Sequence, residues 1–555
     1  MKNFITRMDP LFLYLTIEVK EKEKLEDYLS FLSKSGVYDL LDFKSEEQLK
    51  KGGRPEYKPA DLLAVILFGF AFNKSSIRDL QEACKYDLRF IYLIRQETPS
   101  YKIFANFINN YIVPNRNEIF ALLVKQIANE CGFTDQDGYI DGTKFEADAN
   151  KYKFVYKPTT WHKNLCTKIR NLLTSLGLDR GIPEDEIFSS KIISEKVTEL
   201  SSIVEKTSDD KSKKINESKL NNLVTYLTKA IEYEEKERIC GPDRNSYYKS
   251  DHDATAMCLK TDYYSGLGSN MHAAYNCQIL VCQGLIYSFY ISQSRNDIND
   301  FIPILEKFNK YYGHYPKNVC ADAGYGSYDN YKYLKANNII SYVKHQSFAG
   351  NVSGRNPDQY ELLEDDTIRC LNGNIGKETR LINRHPRKEA AVFYKVEGCN
   401  ECAFSTYCKR YMKDKSEDFK IFEINKEYER LKKESFNNLL SVEGIEKRVN
   451  RSIQVEGAFG VIKQDMNYTR SRRTGIEKVE TEYMLTYIGY NIRKLFRYFD
   501  GKLKKDYWVA PCGTKMEVPK KPSAKRLANK VNKKKSQNSP NSEAKKKYKK
   551  KYKHK

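Results

Sequence analysis

The hydrophobic positions in the first part of the chain repeat at helical spacing. An apolar run begins at Pro59 and predicts a helix through Phe72, and Ser75 or Ser76 stands where it would cap a second helix. A further helix is expected over residues 104–112. The pattern therefore predicts a compact helical module.

Strand patterns follow in the middle of the chain. Residues 137–145 form a short strand candidate that carries Asp141. Alternating apolar residues at 274–282 and 285–292 are separated only by Gln283 and Gly284, and this arrangement predicts a β-hairpin. These strands would begin a sheet.

Helices and strands then alternate up to residue 345. A helix with apolar residues at i, i+3, i+4 and i+7 is predicted over residues 300–312. A buried strand that ends on Asp322 follows, then a helix over residues 328–338 and a strand over residues 339–345. This order favours an α/β fold with a mixed sheet.

Two stretches interrupt this order. Residues 163–240 are rich in lysine and serine, have helical patterning and look inserted, and periodicity weakens again over residues 346–435. Helical patterning returns at 450–465 and at 476–499, and the apolar stripe of the second segment is typical of a core helix.

The charge of the chain indicates a polyanionic partner. The formal net charge is +22, and from residue 521 onward fifteen lysines and arginines face a single acid, Glu543. We expect this end to be a disordered basic arm that binds phosphates, and a merely solubilising end is the alternative. The helical module at 53–112 suits a helix-turn-helix DNA reader, although any small helical bundle has the same pattern.

The location of the protein follows from its ends, its apolar runs and its cysteines. The N-terminus lacks a cleavable signal pattern, and the longest apolar run, residues 62–72, is too short to span a bilayer. Thirteen cysteines, mostly scattered singly, argue against a secreted disulfide framework. We expect a cytoplasmic, nucleoid-associated protein with no membrane partner.

Three carboxylates stand out among many acids. Asp141 and Asp322 lie in or at the end of short apolar strands, where a charge is costly unless it is paired or binds a cation. Glu456 interrupts an apolar helix, and regular α-helical spacing places Ser452, Glu456 and Lys463 on one face. Taken singly, a turn Asp141, a capping Asp322 and a surface Glu456 are equally good explanations.

If they converge from two strands and a helix, the three carboxylates would form an oxygen-only metal site. Such sites suit Mg²⁺ or Mn²⁺, and two of these ions activate a nucleophile and stabilise the leaving oxygen in phosphodiester cleavage. Lys463 would hold a neighbouring phosphate. The pattern predicts metal-dependent phosphodiester chemistry.

Four cysteines form a second candidate metal site. Cys399 and Cys402 are a CxxC pair, with Cys370 before them and Cys408 after them. This set fits a tetrahedral structural Zn²⁺. Only one half of the set is a CxxC pair, so reduced thiols without metal are the alternative.

Several motifs resemble those of one enzyme family. DGTKFEADANKYKFVYK, NVCADAGYGSYDNYKYL and RSIQVEGAFGVIKQD occur in the order seen in bacterial insertion-sequence transposases of the DDE type. The chain most resembles the IS1182 group, and more distantly the IS4 and IS5 groups. GGRPEYKPADLLAVILFGF resembles their N-terminal domain, so the likeness covers residues 50–500.

The resemblance implies a fold, a site and a reaction. It implies an RNase H-like core with Asp141 on the first strand, Asp322 at the end of the fourth and Glu456 on a later helix, all as catalytic metal ligands. It implies Mg²⁺-dependent cleavage at inverted repeats of element ends and joining to target DNA, by a homodimer on DNA. A catalytically silent DNA-binding relative and a nuclease that cleaves without joining are the alternatives.

One part of the family pattern is displaced. The IS4-type signature has Tyr seven and Arg four residues before the Glu, and Lys seven after it, where this chain has Val449, Ser452 and Lys463. Arg451 lies one residue from the arginine position. We expect Lys463 and Arg451 on DNA phosphates. The same role is expected of three arginines after the helix, for which a solvated loop is the alternative: Arg470, Arg472 and Arg473.

The patterns and the resemblance together divide the chain into seven segments. These are a helical N-terminal DNA-binding domain (1–130), the first strand of the RNase H-like core (131–160), a helical insertion (161–255), more of the RNase H-like core (256–345), an insertion with the cysteines (346–440), C-terminal core helices with the catalytic Glu (441–500) and a basic disordered tail (501–555).

Overall fold

The fold was analysed in a computed structural model of the chain. The residues that it describes are 19–41, 57–157, 161–179, 182–183, 187–242, 244–259, 271–380 and 391–503. The expected basic tail therefore lies outside the described residues, apart from its first three positions.

A six-stranded mixed sheet lies at the centre of the described chain. Its strands are β1 (Asp137–Glu146), β4 (Thr255–Cys258), β5 (Met271–Cys282), β6 (Leu285–Ser292), β7 (Asn318–Ala321) and β8 (Ile340–Val343), while β2 (Phe154–Tyr156) and β3 (Ser246–Tyr248) pair separately. β5 pairs on one side with β1 and on the other with β6 and β4, all antiparallel. β7 lies parallel to β1, and β8 parallel to β7. The expectation of an α/β fold with a mixed sheet is confirmed.

The hairpin between β5 and β6 has the predicted turn. Gln283 and Gly284 both have positive φ values, 47° and 79°. Consecutive positive φ angles match the twist of the two strands, and the left-handed region is one that glycine enters at little cost. β5 is buried from Ala273 onward, so it forms the middle of the core.

Helices cover the sheet and join it to the N-terminal region. The N-terminal helices are Val19–Lys34, Pro59–Ala71, Ile77–Tyr86, Leu88–Leu93, Tyr101–Phe107 and Val113–Cys131, with a 3₁₀ turn at Val37–Leu40 and a π-helical turn at Ile108–Ile112. Around the sheet lie Phe301–Tyr312, Tyr328–Ala336, Phe348–Ser353, Lys426–Leu440, Val442–Arg451, Gly457–Gly460 and Ile476–Phe499. One apolar cluster runs from the N-terminal helices into the sheet, so the two regions share a core.

The Ile476–Phe499 helix is the element on which this shared core is built. Most of its residues between Val479 and Leu495 are buried, as its apolar stripe predicted. Gly489 lies against the backbone of the Pro59–Ala71 helix, where an added Cβ would come within 2.8 Å of the carbonyl carbon of Phe70. The missing side chain is what allows the two helix backbones to approach.

The two predicted insertions each have an apolar cluster of their own. The first contains the helices Trp161–Thr174, Ser190–Lys206 and Asp210–Cys240. The second contains a five-stranded sheet of β9 (Tyr360–Leu362), β10 (Ile368–Cys370), β11 (Ile375–Thr379), β12 (Ala391–Glu397) and β13 (Phe419–Asn425), with a short helix at Ser405–Cys408. Within the described ranges, no helix has the length and apolarity to cross a membrane.

The close approach at Gly489 gives a stability prediction. Gly489→Ala should lower the apparent free energy of unfolding by about 1–3 kcal/mol, because the new methyl group overlaps the facing backbone. Denaturant unfolding measures the effect. Gly460→Ala is the matched control, since a Cβ there meets open space, and it should leave stability unchanged or raise it. Equal stability of the two variants would contradict the packing argument.

Candidate active site

Strand register brings two of the expected carboxylates together. Ile140 on β1 pairs with Ala321 on the parallel strand β7, so the next residues, Asp141 within β1 and Asp322 just after β7, lie side by side. Neighbouring strands are about 4.8 Å apart. The two carboxylates therefore meet although 180 residues separate them in sequence.

Each aspartate also accepts a hydrogen bond from the backbone N–H of the residue that follows it. The Asp141 carboxylate accepts a hydrogen bond from the backbone N–H of Gly142 at 2.9 Å, and Asp322 accepts one from the N–H of Ala323 at 2.8 Å. Asp322 thus caps the short turn after it, as one interpretation of the sequence proposed. Asp322 can cap this turn and still pair with Asp141, because only one of its carboxylate oxygens accepts the capping hydrogen bond.

Arg451 lies between the carboxylates. Its guanidinium donates to Asp141 at 2.8 Å and lies 3.7 Å from an oxygen of Glu456. Only 5% of Arg451 is exposed. Burial lowers the pKa of Arg451, but the charges of Asp141 and Asp322 outweigh it and the net direction is upward. Arg451 is therefore the cation that all three carboxylates share.

Asp322 has a second cation beside it. Burial raises the pKa of Asp322, but the Ala323 N–H, Arg451 and Lys344 together outweigh burial and hold that pKa below its usual value. The Lys344 ammonium lies 3.6 Å from the carboxylate. Asp322 is therefore held in its charged form.

A π-helical turn explains why the arginine is displaced in the sequence. Residues Ser452–Glu456 form a π-helix between the helices Val442–Arg451 and Gly457–Gly460. The π-helix bonds i to i+5, so residues five apart share a face there, as residues four apart do in an α-helix. Arg451, five residues before Glu456, thereby reaches the face that regular spacing assigned to Ser452.

Lys463 lies on the same side of the sheet as the carboxylates. Its ammonium donates to the Thr143 hydroxyl at 2.6 Å and lies 4.8 Å from the centre of the Phe145 ring. Thr143 follows Asp141 by two residues, so their side chains share a face of β1. Lys463 therefore lies on the face of β1 that carries Asp141.

A buried polar network beneath the two aspartates is absent from the sequence-based hypothesis. Gln278 lies so close to Gly142 that a Cβ there would meet its amide oxygen at 2.3 Å, and the same oxygen accepts from the Tyr325 hydroxyl. The Gln278 amide nitrogen donates to Asp297 at 3.0 Å and to Asp300 at 3.3 Å. The network therefore joins the residue after Asp141 to the turn after Asp322.

Asp300 is the buried end of this network. It accepts hydrogen bonds from Gln278, Asn276 and Ser292, and burial raises its pKa to about 6. The sequence does carry a signal for this network, because two polar residues interrupt the apolar pattern of β5. These residues, Asn276 and Gln278, are fully buried. Buried amides need partners, and here the partners are carboxylates.

The three arginines after the Glu456 helix have mixed roles. The side chain of Arg472 donates to the Ser75 hydroxyl at 2.9 Å, and that of Arg473 to Asn109 at 3.4 Å, so both reach the N-terminal helices. The buried Glu482 accepts the backbone N–H groups of both arginines. Arg470 bonds Asp148 at 3.0 Å and is exposed, as Arg472 is. The segment is thus partly a brace between two regions.

The four cysteines of the second insertion line one small cavity. Cys370, Cys399, Cys402 and Cys408 surround a volume of about 20 Å³, enough for one water-sized sphere. Burial, reinforced by the neighbouring thiols, raises the pKa of Cys408 to about 11. The sequence therefore grouped these residues correctly.

Neither the cysteines nor the carboxylates lie at the spacing of metal ligands. Across the described residues, no set of three or more Cys, His, Asp or Glu side chains lies at the spacing of a bound ion. At the carboxylates the chemistry of the donor set fits a hard divalent cation, because Asp141, Asp322 and Glu456 all offer carboxylate oxygens.

Two transposase family models match the chain. The model described as Transposase DDE domain matches residues 370–496, which include Arg451, Glu456 and Lys463. The model described as Transposase domain (DUF772) matches residues 17–110. The chain carries a DDE transposase domain. No curated protein and no solved structure matched the chain.

The DDE transposase domain decides the class of the protein. The chain is an enzyme of the polynucleotidyl transferase type, and its domains indicate DNA transposase activity. A DDE transposase binds DNA, uses a divalent metal and has an RNase H-like core. The mixed sheet carries Asp141 and Asp322 outside the matched residues, and the transposase domain itself contributes the helix with Glu456.

The ion pairs of Arg451 predict a large loss of stability on its removal. Arg451→Gln should lower the apparent free energy of unfolding of the protein by about 3–5 kcal/mol, because Asp141 is left without its buried partner. Denaturant unfolding without added metal measures the loss. Arg430→Gln is the control, since its exposed pair with Asp366 contributes about 0–1 kcal/mol. Similar losses in both variants would contradict the central role of Arg451.

Proposed function

We propose that the protein is the transposase of an insertion sequence of the IS1182 group. It binds the terminal inverted repeats of its element, cleaves phosphodiester bonds there and transfers the freed strand to target DNA. One observation supports this most: Asp141, Asp322 and Glu456, far apart in the chain, meet around Arg451 in an enzyme with a DDE transposase domain.

The three carboxylates are proposed as the catalytic metal ligands. Mg²⁺ or Mn²⁺ held by them would supply activation of the attacking hydroxyl and stabilisation of the leaving oxygen. The chain itself fixes the geometry: the sheet register and the hydrogen bonds from two backbone N–H groups orient the aspartates, and the π-turn presents Glu456. Lys463, anchored on Thr143, positions a DNA phosphate next to them.

DNA is proposed to contact the exposed side of the segment that contains Arg470, Arg472 and Arg473. Arg470 and Arg472 are exposed beside a polar cavity of about 320 Å³. Arg473, which bonds Asn109, and Arg451 are assigned the same role only when DNA rearranges their present contacts. The N-terminal helices would recognise the element ends, a homodimer would pair two ends, and the nucleoid would be the place of action.

The catalytic assignment predicts the effect of single substitutions. Asp322→Ala should lower cleavage of DNA carrying the ends that flank the gene by about three orders of magnitude or more, because a ligand of the reacting centre is lost. Cleavage in Mg²⁺ measures the effect, with Glu434→Gln, which removes an exposed acid paired with Lys335, as the control. Full cleavage by Asp322→Ala would exclude this residue from the site.

The same assay separates the alternative functions. Binding of the ends without any cleavage by the wild type identifies a catalytically silent relative. Cleavage without joined products identifies a nuclease. Joined products that carry the element ends are the result expected of a transposase.

The cysteine cavity is proposed as a structural zinc site, on the single observation that four thiols line it. The purified protein should contain about one zinc ion per chain, because four thiolates complete a tetrahedral shell. Elemental analysis measures the metal. The double variant Cys399→Ser and Cys402→Ser should lose it, and Cys166→Ser, outside the cavity, should keep it. A wild-type protein without zinc would overturn this assignment.

A further inference from the structure

A second cavity of about 390 Å³ opens directly beside Asp322. Its wall includes Asp322 and two cationic side chains, Lys344 and Arg448. The other residues of the wall are polar, small or apolar: Gln346, Ser353, Ala323, Ala349, Phe348 and Val352. Ligand pockets have volumes of about 300–1,000 Å³. The cavity is thus large enough for a small ligand and lies next to a proposed catalytic residue.

Arg448 is the unusual member of this wall. Its Nε atom is buried without a hydrogen-bond partner, and within the described part of the chain its guanidinium forms no ion pair with a carboxylate. The guanidinium lies 5.4 Å from the centre of the Phe348 ring. Burial lowers the pKa of Arg448. A partly buried cation without an anion is costly, and a bound anion would remove that cost.

The rest of the wall indicates which anion would fit. Lys344 adds a second positive charge and lies 3.6 Å from Asp322, while Phe348, Ala349 and Val352 give the same cavity an apolar surface. A ligand with a phosphate and a flat or apolar body matches both surfaces. A nucleotide has both parts.

We propose that this cavity binds one nucleotide of the DNA strand that is cut at Asp322, with its phosphate between Arg448 and Lys344 and its sugar and base against Phe348 and Val352. The proposal rests on the proposed transposase function and adds a binding subsite to it. Arg448 and Lys344 act in it as positioning residues, because they contact a phosphate other than the one that reacts.

The first experiment compares three single variants in binding. Full-length protein is titrated with fluorescent duplex DNA that carries the element end, in Ca²⁺ to prevent cleavage. Arg448→Gln should weaken binding about tenfold or more and reduce the dependence of log Kd on log salt by about one. Ala349→Phe should weaken it similarly by filling the cavity, since Ala349 is exposed and the fold tolerates bulk there. Arg430→Gln is the charge-matched control and should change little.

The second experiment identifies the phosphate. Duplexes in which single phosphates near the cleavage position are replaced by neutral methylphosphonates are bound to the wild type and to Arg448→Gln. At one position the wild type should lose about tenfold in affinity and the variant should lose nothing further, because the contact is already absent. Independent losses at every position, or a variant indistinguishable from Arg430→Gln, would overturn the proposal.

The outcomes distinguish the subsite from the function. If the wild type cleaves element ends, and Arg448→Gln binds and cleaves like the control, the transposase function stands and the nucleotide site is excluded. Wild-type protein that neither prefers element ends to a scrambled duplex nor cleaves them overturns both.

Discussion

The parallel pairing of β1 with β7 places two aspartates next to each other where β7 ends. Two adjacent ionised carboxylates repel each other, and water screens this repulsion only weakly at Asp141, whose side chain is 19% exposed. The Arg451 guanidinium offsets that repulsion, and it is 5% exposed, so the ion pair is largely shielded from solvent. The cation that all three carboxylates share therefore comes from a helix that is distant in sequence, while Lys344 adds a second positive charge at Asp322 alone.

The helix that delivers this cation is held from both sides. The π-turn aligns Arg451 with Glu456, and Lys463 further along anchors the same element to β1. The following segment is bound through its backbone by the buried Glu482, which belongs to the core helix. That core helix also packs against the N-terminal helices at Gly489. The N-terminal region and the carboxylates are thus connected through one continuous set of contacts.

Most of the elements around the site could be predicted from sequence, because their signals are local. Helical and alternating periods, together with Gln283 and Gly284 at the hairpin, depend on neighbours within a few residues. The pairing of Asp141 with Asp322 required the family resemblance, since register is set by contacts across the sheet. The order and the position of the core elements were therefore accessible, and their long-range partners were not.

The features that sequence reasoning missed share this long-range origin. Regular helical spacing favoured Ser452 because a π-turn has no clear local signature, and the packing of the Glu456 helix on the sheet decides it. Gln278 lies within an apolar strand pattern, and only its contacts with Asp297, Asp300 and Tyr325 show why a buried amide is there. The four cysteines were grouped correctly, but their spacing along the chain does not determine how their thiols are oriented.

Different cations at the site neutralise the carboxylates and remain available for DNA phosphates. Arg451 is engaged with carboxylates, and so its charge is already used within the protein. A DNA strand that approaches Asp322 brings further negative charge and needs cations that are not engaged in this way. Arg448, without a carboxylate partner in the described chain, and the exposed Arg472, whose side chain donates to the Ser75 hydroxyl, meet that requirement. The carboxylates therefore keep their internal counter-charge while separate cations are available for the phosphates of the substrate.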